Sequence, residues 1–386
     1  MTNFQYFTPT KVVFGKDTES QVGDLAASIG CEKVLVHYGS QSAQKSGLLD
    51  RVFDSLKAAE VSYVSLGGVV PNPRLSKVYE GIDLCKKTGV DFILAIGGGS
   101  VIDSAKAIGY GIADSGDVWD FYSRKRVPKA CAPIGCVLTI SAAGSEMSNS
   151  SVITNENGAL KRGYLNDLCR LKFAIMNPCL TFTLPVYQTM AGAVDIIMHT
   201  LERWFDAARN DTWLTDAMSA SLIKSVIKNA PILKNDPSNY TAAAEMMWAG
   251  SLSHNGLMQA CAGFGDWSAH QLEHELGGMF DVTHGAGLSA VWGSWARYVY
   301  RHAIPRFEAL GELVFGKPDP LAAIGKMEEF FKSIDMPVTM TELAVKPTDK
   351  QIEELAEKCV FFGERKVGTV IPLGKEDIIK IFQAAR

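Results

Sequence analysis

Asp91-Phe92-Ile93-Leu94-Ala95-Ile96 runs straight into Gly97-Gly98-Gly99-Ser100-Val101-Ile102-Asp103. The first six residues read as a strand, the glycines as a tight turn, and the sequence onward to about Tyr110 as a helix. Glycines let a backbone come close to a bound anion, and a helix N-terminus offers free N–H donors at the positive end of its dipole. Strand, glycine turn and helix in that order make Gly98, Gly99 and Ser100 candidates for a pyrophosphate site. The spacing is not GxGxxG. A plain βα turn with Ser100 and Asp103 as a capping box explains the same residues, and cap and anion site can coexist.

Working outward, residues 33–38 (KVLVHY), 61–66 (VSYVSL) and 131–140 (CAPIGCVLTI) are further strand candidates, with helical stretches at 43–59 and 74–88. Alternation of this kind predicts a parallel sheet with helices on both faces. The pattern changes within 177–185. Pro185 signals the start of a long helix, whose Met190, Val194, Ile197, Leu201, Trp204 and Phe205 fall at helical spacing. Helix follows helix from there. The expectation is an α/β dinucleotide-binding domain at residues 1–183 and an all-helical metal-binding catalytic domain at residues 184–386.

The bulk composition narrows the function. Of 386 residues, 47% are hydrophobic and 21% charged, which supports a large packed core and argues against disorder. A net charge of -4 without a basic stripe argues against nucleic acid as a partner. No apolar run reaches membrane-spanning length, and the start, MTNFQYFTPTKVVFG, lacks the apolar centre of a signal peptide. A cytoplasmic protein is expected, with no membrane partner. The eight cysteines form no CxxC pair and fit a reducing compartment; none is assigned to metal.

Histidine placement carries the chemistry. Asp195 and His199 are four apart on the helix after Pro185, so both lie on one face. His270, His274 and His284 bring three of the seven histidines into one short segment. Imidazole with carboxylate suits Zn²⁺ or Fe²⁺. Hydrogen-bonded core histidines are the plainer explanation, weakened by both clusters falling in one helical domain. His270 to His274 also spells HxxEH, the pattern of a metallopeptidase with Glu273 as base. That rival leaves the glycine turn without a role. A non-catalytic nucleotide-binding module with structural histidines is a third reading. Spacing alone does not choose between His270 and His274 as ligands.

Taken in order, FGK at residues 14–16, PNP at 71–73, GGGSxxD at 97–103, GSE at 144–146, DxxxH at 195–199 and the histidine segment ending at His284-Gly285 make the chain resemble the iron-containing (group III) alcohol dehydrogenase family. The likeness is to its butanol dehydrogenase and broad-specificity aldehyde reductase branch, and it spans almost the whole chain. The resemblance implies hydride transfer between NAD(P)H and small aliphatic aldehydes or primary alcohols, and one divalent metal, Fe²⁺ or Zn²⁺, held by Asp195, His199, His270 and His284. It implies that His274 lies near the nicotinamide as a catalytic residue, and that Thr139, Ser148, Ser150 and Lys161 join Gly98, Gly99 and Ser100 in binding the cofactor. It also implies a homodimer or higher oligomer, for which residues 12–14 offer an edge strand. Two departures stand out: the family's TTxGTGSE reads Thr139-Ile140-Ser141-Ala142-Ala143-Gly144-Ser145-Glu146 here, and its frequent Asp-Pro is Asn177-Pro178.

The loop after the 33–38 strand bears on cofactor choice. An acid there would hydrogen-bond the adenosine ribose and repel a 2′-phosphate. Residues 39–45 (GSQSAQK) contain none. Gly39 leaves room, Ser40 and its neighbours can donate to phosphate oxygens, and Lys45 is an available counter-charge. The expectation is NADPH in preference to NADH.

Overall fold

The structure, a computed structural model, describes residues 2–39, 41–207, 212–261 and 263–386. It divides into two compact units, Thr8–Thr183 and Leu184–Arg386, the latter joined by the residues up to Phe7.

Among its described residues the first unit carries eight strands: β1 (Lys11–Phe14), β2 (Lys33–Tyr38), β3 (Ser62–Leu66), β4 (Phe92–Gly97), β5 (Ile134–Leu138), β6 (Ser150–Asn155), β7 (Leu160–Leu165) and β8 (Phe173–Met176). Its helices are α1 (Val22–Ser28), α2 (Ser42–Lys45), α3 (Leu48–Ala58), α4 (Leu75–Thr88), α5 (Gly99–Ala113) and α6 (Trp119–Tyr122). Six strands form one parallel sheet in the order β1-β8-β5-β4-β2-β3, and β6 and β7 form an antiparallel hairpin. Every residue of β4 is buried, as a strand covered on both faces must be. Val34, Val36, Phe92, Leu94 and Ile96 join Leu48, Val52 and Leu56 of α3 in the core. Each such side chain contributes roughly 1.5–3 kcal/mol by leaving water.

Several expected boundaries move. The helix expected at 43–59 is two, α2 and α3, parted by Gly47 at φ 68°. The strand expected at 131–140 holds only its central five residues. Asp91 does not extend β4; its carboxylate accepts from the backbone N–H of Glu32 (2.9 Å) and Lys33 (3.0 Å) and ties the start of β2 to that of β4. β6, β7 and β8 carry weaker patterns and were not anticipated.

The second unit contains α7 (Val186–Trp204), α8 (Trp213–Asn235), α9 (Tyr240–His254), α10 (Ser268–Phe280), α11 (His284–Val299), α12 (Ile304–Phe315), α13 (Pro320–Ser333), α14 (Asp349–Cys359) and α15 (Lys375–Ala385). Among the described residues the only extended pairing here is an isolated bridge, Val367 to Leu373. α7 is buried from Met190 to Trp204 and packs against α8, α9, α10 and α11. No helix is long and apolar enough to cross a membrane among the described residues. All eight cysteines are free thiols.

Candidate functional sites

In the sheet unit, strand order and register assemble the glycine site. β2 and β5 flank β4, with Tyr38 beside Ile96 and Leu138 beside Gly97. The chain therefore leaves three adjacent strands at the same edge, at Gly39, Gly98 and Thr139. The Thr139 N–H donates to the Gly97 carbonyl at 3.1 Å, and the Gly68 N–H to the Gly39 carbonyl at 3.0 Å. The carboxyl ends of parallel strands, where strand order reverses, are where such sheets bind ligands. Ser40, the neighbour of Gly39 in the expected set, lies outside the described residues.

The capping-box reading of the turn fails. Gly98 is the N-cap of α5 and has no side chain to donate or accept there. Asp103 faces away from the helix start, accepting from Ser145 Oγ (2.6 Å) and from the Val152 N–H (2.9 Å). The glycines have a packing reason of their own: a Cβ on Gly98 would sit 2.0 Å from Ile140 Cγ2, and one on Gly99 3.0 Å from Ala143 Cβ. The 139–150 loop is thus seated directly on the turn.

A buried lysine holds that loop. Lys106 Nζ, fully inaccessible on α5, donates to the carbonyls of Ser145 (2.7 Å), Ser148 (3.0 Å) and Ser150 (2.7 Å), and reaches Ser145 Oγ (3.0 Å) and Ser148 Oγ (3.3 Å). An ammonium taken out of water needs such acceptors. Ser148 and Ser150, expected to touch the cofactor, turn these oxygens to Lys106. Lys161 is buried on β7, opposite Thr154 in the hairpin. Sequence reading missed Lys106, although its place one turn after Asp103 was a signal.

In the helical unit, α7, α10 and α11 bring the remaining expected residues together. Asp195 Oδ1 is 3.2 Å from His199 Nδ1, 3.7 Å from His270 Nε2 and 3.6 Å from His284 Nε2. Asp195, His199 and His270 offer ligand atoms all within 4.8 Å of one another. Asp195 Oδ1, His199 Nδ1 and His270 Nε2 are buried without a hydrogen-bond partner. Three orphaned polar atoms on one point are costly unless something bridges them, and a nitrogen and oxygen set of this kind fits a divalent cation. His284 reaches the cluster because Gly285 has no side chain: a Cβ there would lie 1.9 Å from the Ala191 carbonyl oxygen of α7.

Burial and the facing carboxylates set the ionisation of these groups. Burial alone would raise the Asp195 carboxyl, but the imidazoles of His199 and His284 hold it well below the usual range. Burial lowers His199 to about 4, keeping it neutral. Burial opposes protonation of His270 too, yet the carboxylates of Asp195 and Glu202, one facing each ring nitrogen, carry it up to about 9.

His274 is buried on α10, its ring centroid 6.4 Å from that of His270 and 6.0 Å from that of His284. It is outside the mutual cluster. Glu273, the base of the peptidase reading, is fully inaccessible and paired with His284 Nδ1. It cannot activate a solvent water from there, and HxxEH here is a coincidence of helix spacing. Unanticipated neighbours complete the site. Glu202 binds His270, His254 stacks on His199 at 4.1 Å, and Arg203 lies 4.6 Å over the Trp267 ring while donating to the His199 carbonyl at 2.7 Å. Glu202, three residues beyond His199 on one helix face, was readable from spacing; His254 was not.

The family model described as "Iron-containing alcohol dehydrogenase" matches residues 9–178, and "Fe-containing alcohol dehydrogenase family, C-terminal" matches residues 189–386. The chain is 35% identical to the NADH-dependent butanol dehydrogenase A of Clostridium acetobutylicum, over 99% of each chain. It is 30% identical to the NADPH-dependent aldehyde reductase YqhD of Escherichia coli, over the full length of both. The crystal structure of an NADH-dependent butanol dehydrogenase A from Thermotoga maritima superimposes with a TM-score of 0.96 at 35% identity, covering 100% of this chain and 99% of that one.

Proposed function

Because the chain belongs to the iron-containing alcohol dehydrogenase family, we propose that it interconverts small aliphatic aldehydes and primary alcohols, with NADPH preferred over NADH and one divalent cation, Fe²⁺ or Zn²⁺, held by Asp195, His199, His270 and His284. The observation that carries the reading is the convergence of three unpartnered buried atoms, Asp195 Oδ1, His199 Nδ1 and His270 Nε2. A cation bound there supplies Lewis-acid stabilisation of the negative charge that builds on the carbonyl oxygen during hydride transfer. The affinity order favours zinc over Fe²⁺, so supply decides which ion is held. Gly98, Gly99 and Ser100 offer backbone N–H groups at the start of α5 to the cofactor pyrophosphate. His274, one helical turn from His270, delivers the proton that the product alcohol requires. Phe264 and Trp267 beside the histidines, no lysine or arginine between Trp267 and His284, and an Arg203 engaged with the Trp267 ring and the His199 carbonyl suit an uncharged substrate.

The NADPH preference rests on Gly39 and the absence of an acid in residues 39–45, since the relatives' names include both NADH and NADPH. Few charge-assisted hydrogen bonds are on offer, so discrimination should be on the order of 1–3 kcal/mol. The test is kcat/KM for both reduced cofactors across a panel of aldehydes. Turnover of short aliphatic aldehydes with NADPH favoured is expected, as is a shift toward NADH in Gly39→Asp. Strict dependence on phosphorylated or carboxylated substrates would refute the substrate class. An NADH value equal to that for NADPH would refute the preference.

A further inference from the structure

Two buried carboxylates lie against the histidine cluster without belonging to the four-residue set. Glu202 Oε1 accepts from both the His270 N–H (2.9 Å) and the His270 Nδ1 side (3.1 Å). Glu273 pairs in the same way with His284 Nδ1. A carboxylate only accepts, so each Nδ1 carries a hydrogen, and in the neutral ring that a cation requires each Nε2 then presents the bare lone pair. Those two Nε2 atoms lie 3.7 and 3.6 Å from Asp195 Oδ1. In the other tautomer, Nε2–H would donate to Asp195 and compete with a cation for it. Glu202 and Glu273 are 3% and 0% exposed, and a carboxylate out of water is costly unless positive charge answers it. His199 turns its Nδ1 to Asp195 itself, and the ring of His254 packs on it.

We infer that Glu202 and Glu273 are positioning residues, which aim the Nε2 lone pairs of His270 and His284 at one point beside Asp195 and thereby set how tightly the centre holds its cation. This rests on the metal reading of the site proposed above. Carboxylates that orient imidazole ligands in this way typically contribute 10–100-fold in metal affinity. Glutamine can still accept the Nδ1 hydrogen but lacks the charge, whereas leucine does neither.

The experiment uses the full chain, stripped of metal and refilled with Co²⁺ alone. Affinity is read by chelator competition, ligand geometry by the visible Co²⁺ bands, and stability by thermal midpoints with and without Co²⁺. Wild type should bind one ion per chain. Glu202→Gln and Glu273→Gln should weaken Co²⁺ measurably, and the leucine variants by about 10–100-fold with displaced bands. In the glutamine variants the midpoint should fall only in the loaded protein. Affinities and bands unchanged in the glutamine variants, or metal-free midpoints that fall as far as loaded ones, would overturn the inference and leave a merely structural pairing. Should a leucine variant not fold, the glutamine pair carries the test. A wild-type chain with no affinity for Co²⁺ would overturn the metal reading as well; a wild type that binds beside unaltered variants overturns this inference alone.

Discussion

At the scale of single residues, the two histidines of the HxxEH stretch take different positions. His270 has its Nε2 on the Asp195 point and its Nδ1 on Glu202. His274 stands a turn further along α10, buried beside the cluster but outside it. Spacing could not divide them, because both choices are i and i+4 on one helix; the Glu202 contact, from a helix some seventy residues earlier, does so. If His274 delivers a proton, its titration should appear in the rate, since imidazole is the side chain that ionises near neutrality. A His274→Ala enzyme should lose the limb of the pH–rate profile that this group contributes and turn over more slowly, by about 10²–10⁴-fold if transfer is fully lost. An unaltered profile at near-normal rate would remove the relay role and leave packing.

At the scale of elements, strand β2 is tied to its surroundings by His37. Its Nδ1 donates to the Leu66 carbonyl on β3 at 2.9 Å, which leaves Nε2 to accept from Ser104 Oγ on α5, also at 2.9 Å. Burial lowers its pKa from the ordinary 6.5 to about 4, so the fold holds the ring neutral. Above pH 6.5 the ring is neutral in both folded and unfolded chains, and pH does not act through it. Between 6.5 and 4 only the unfolded chain takes up the proton, so stability falls with pH, by about 3 kcal/mol at the end of the window. Urea midpoints of wild type and His37→Gln should therefore converge as pH drops from 7 to 4.5; a constant gap would contradict this account. The β4–α5 unit was legible from sequence because an apolar run, a glycine turn and a helical period coincide there. The hairpin β6–β7 was not. Its partners are local and polar-edged, and its place is fixed by Asp103 accepting from the Val152 N–H and by Lys106 gripping the Ser150 carbonyl. Those are tertiary contacts that no periodicity announces.

At the scale of the molecule, a parallel sheet gathers Gly39, Gly98 and Thr139 at its strand ends, and a helical unit gathers Asp195, His199 and His270 in its core with His284 Nε2 3.6 Å from Asp195 Oδ1. The residue types of both sites were readable from sequence. Their outer supports carried at most a spacing signal, Lys106 after Asp103 and Glu202 after His199; the contacts they make, and that of Glu273 with His284, became visible only in the packed fold. The central claim is that Asp195, His199, His270 and His284 together hold the ion on which activity depends. Metal content per chain, measured beside aldehyde reduction in wild type and His284→Ala, tests it most directly. The account predicts one divalent ion per wild-type chain, and a variant depleted of both metal and activity. A His284→Ala chain with unchanged metal content and full activity would contradict it.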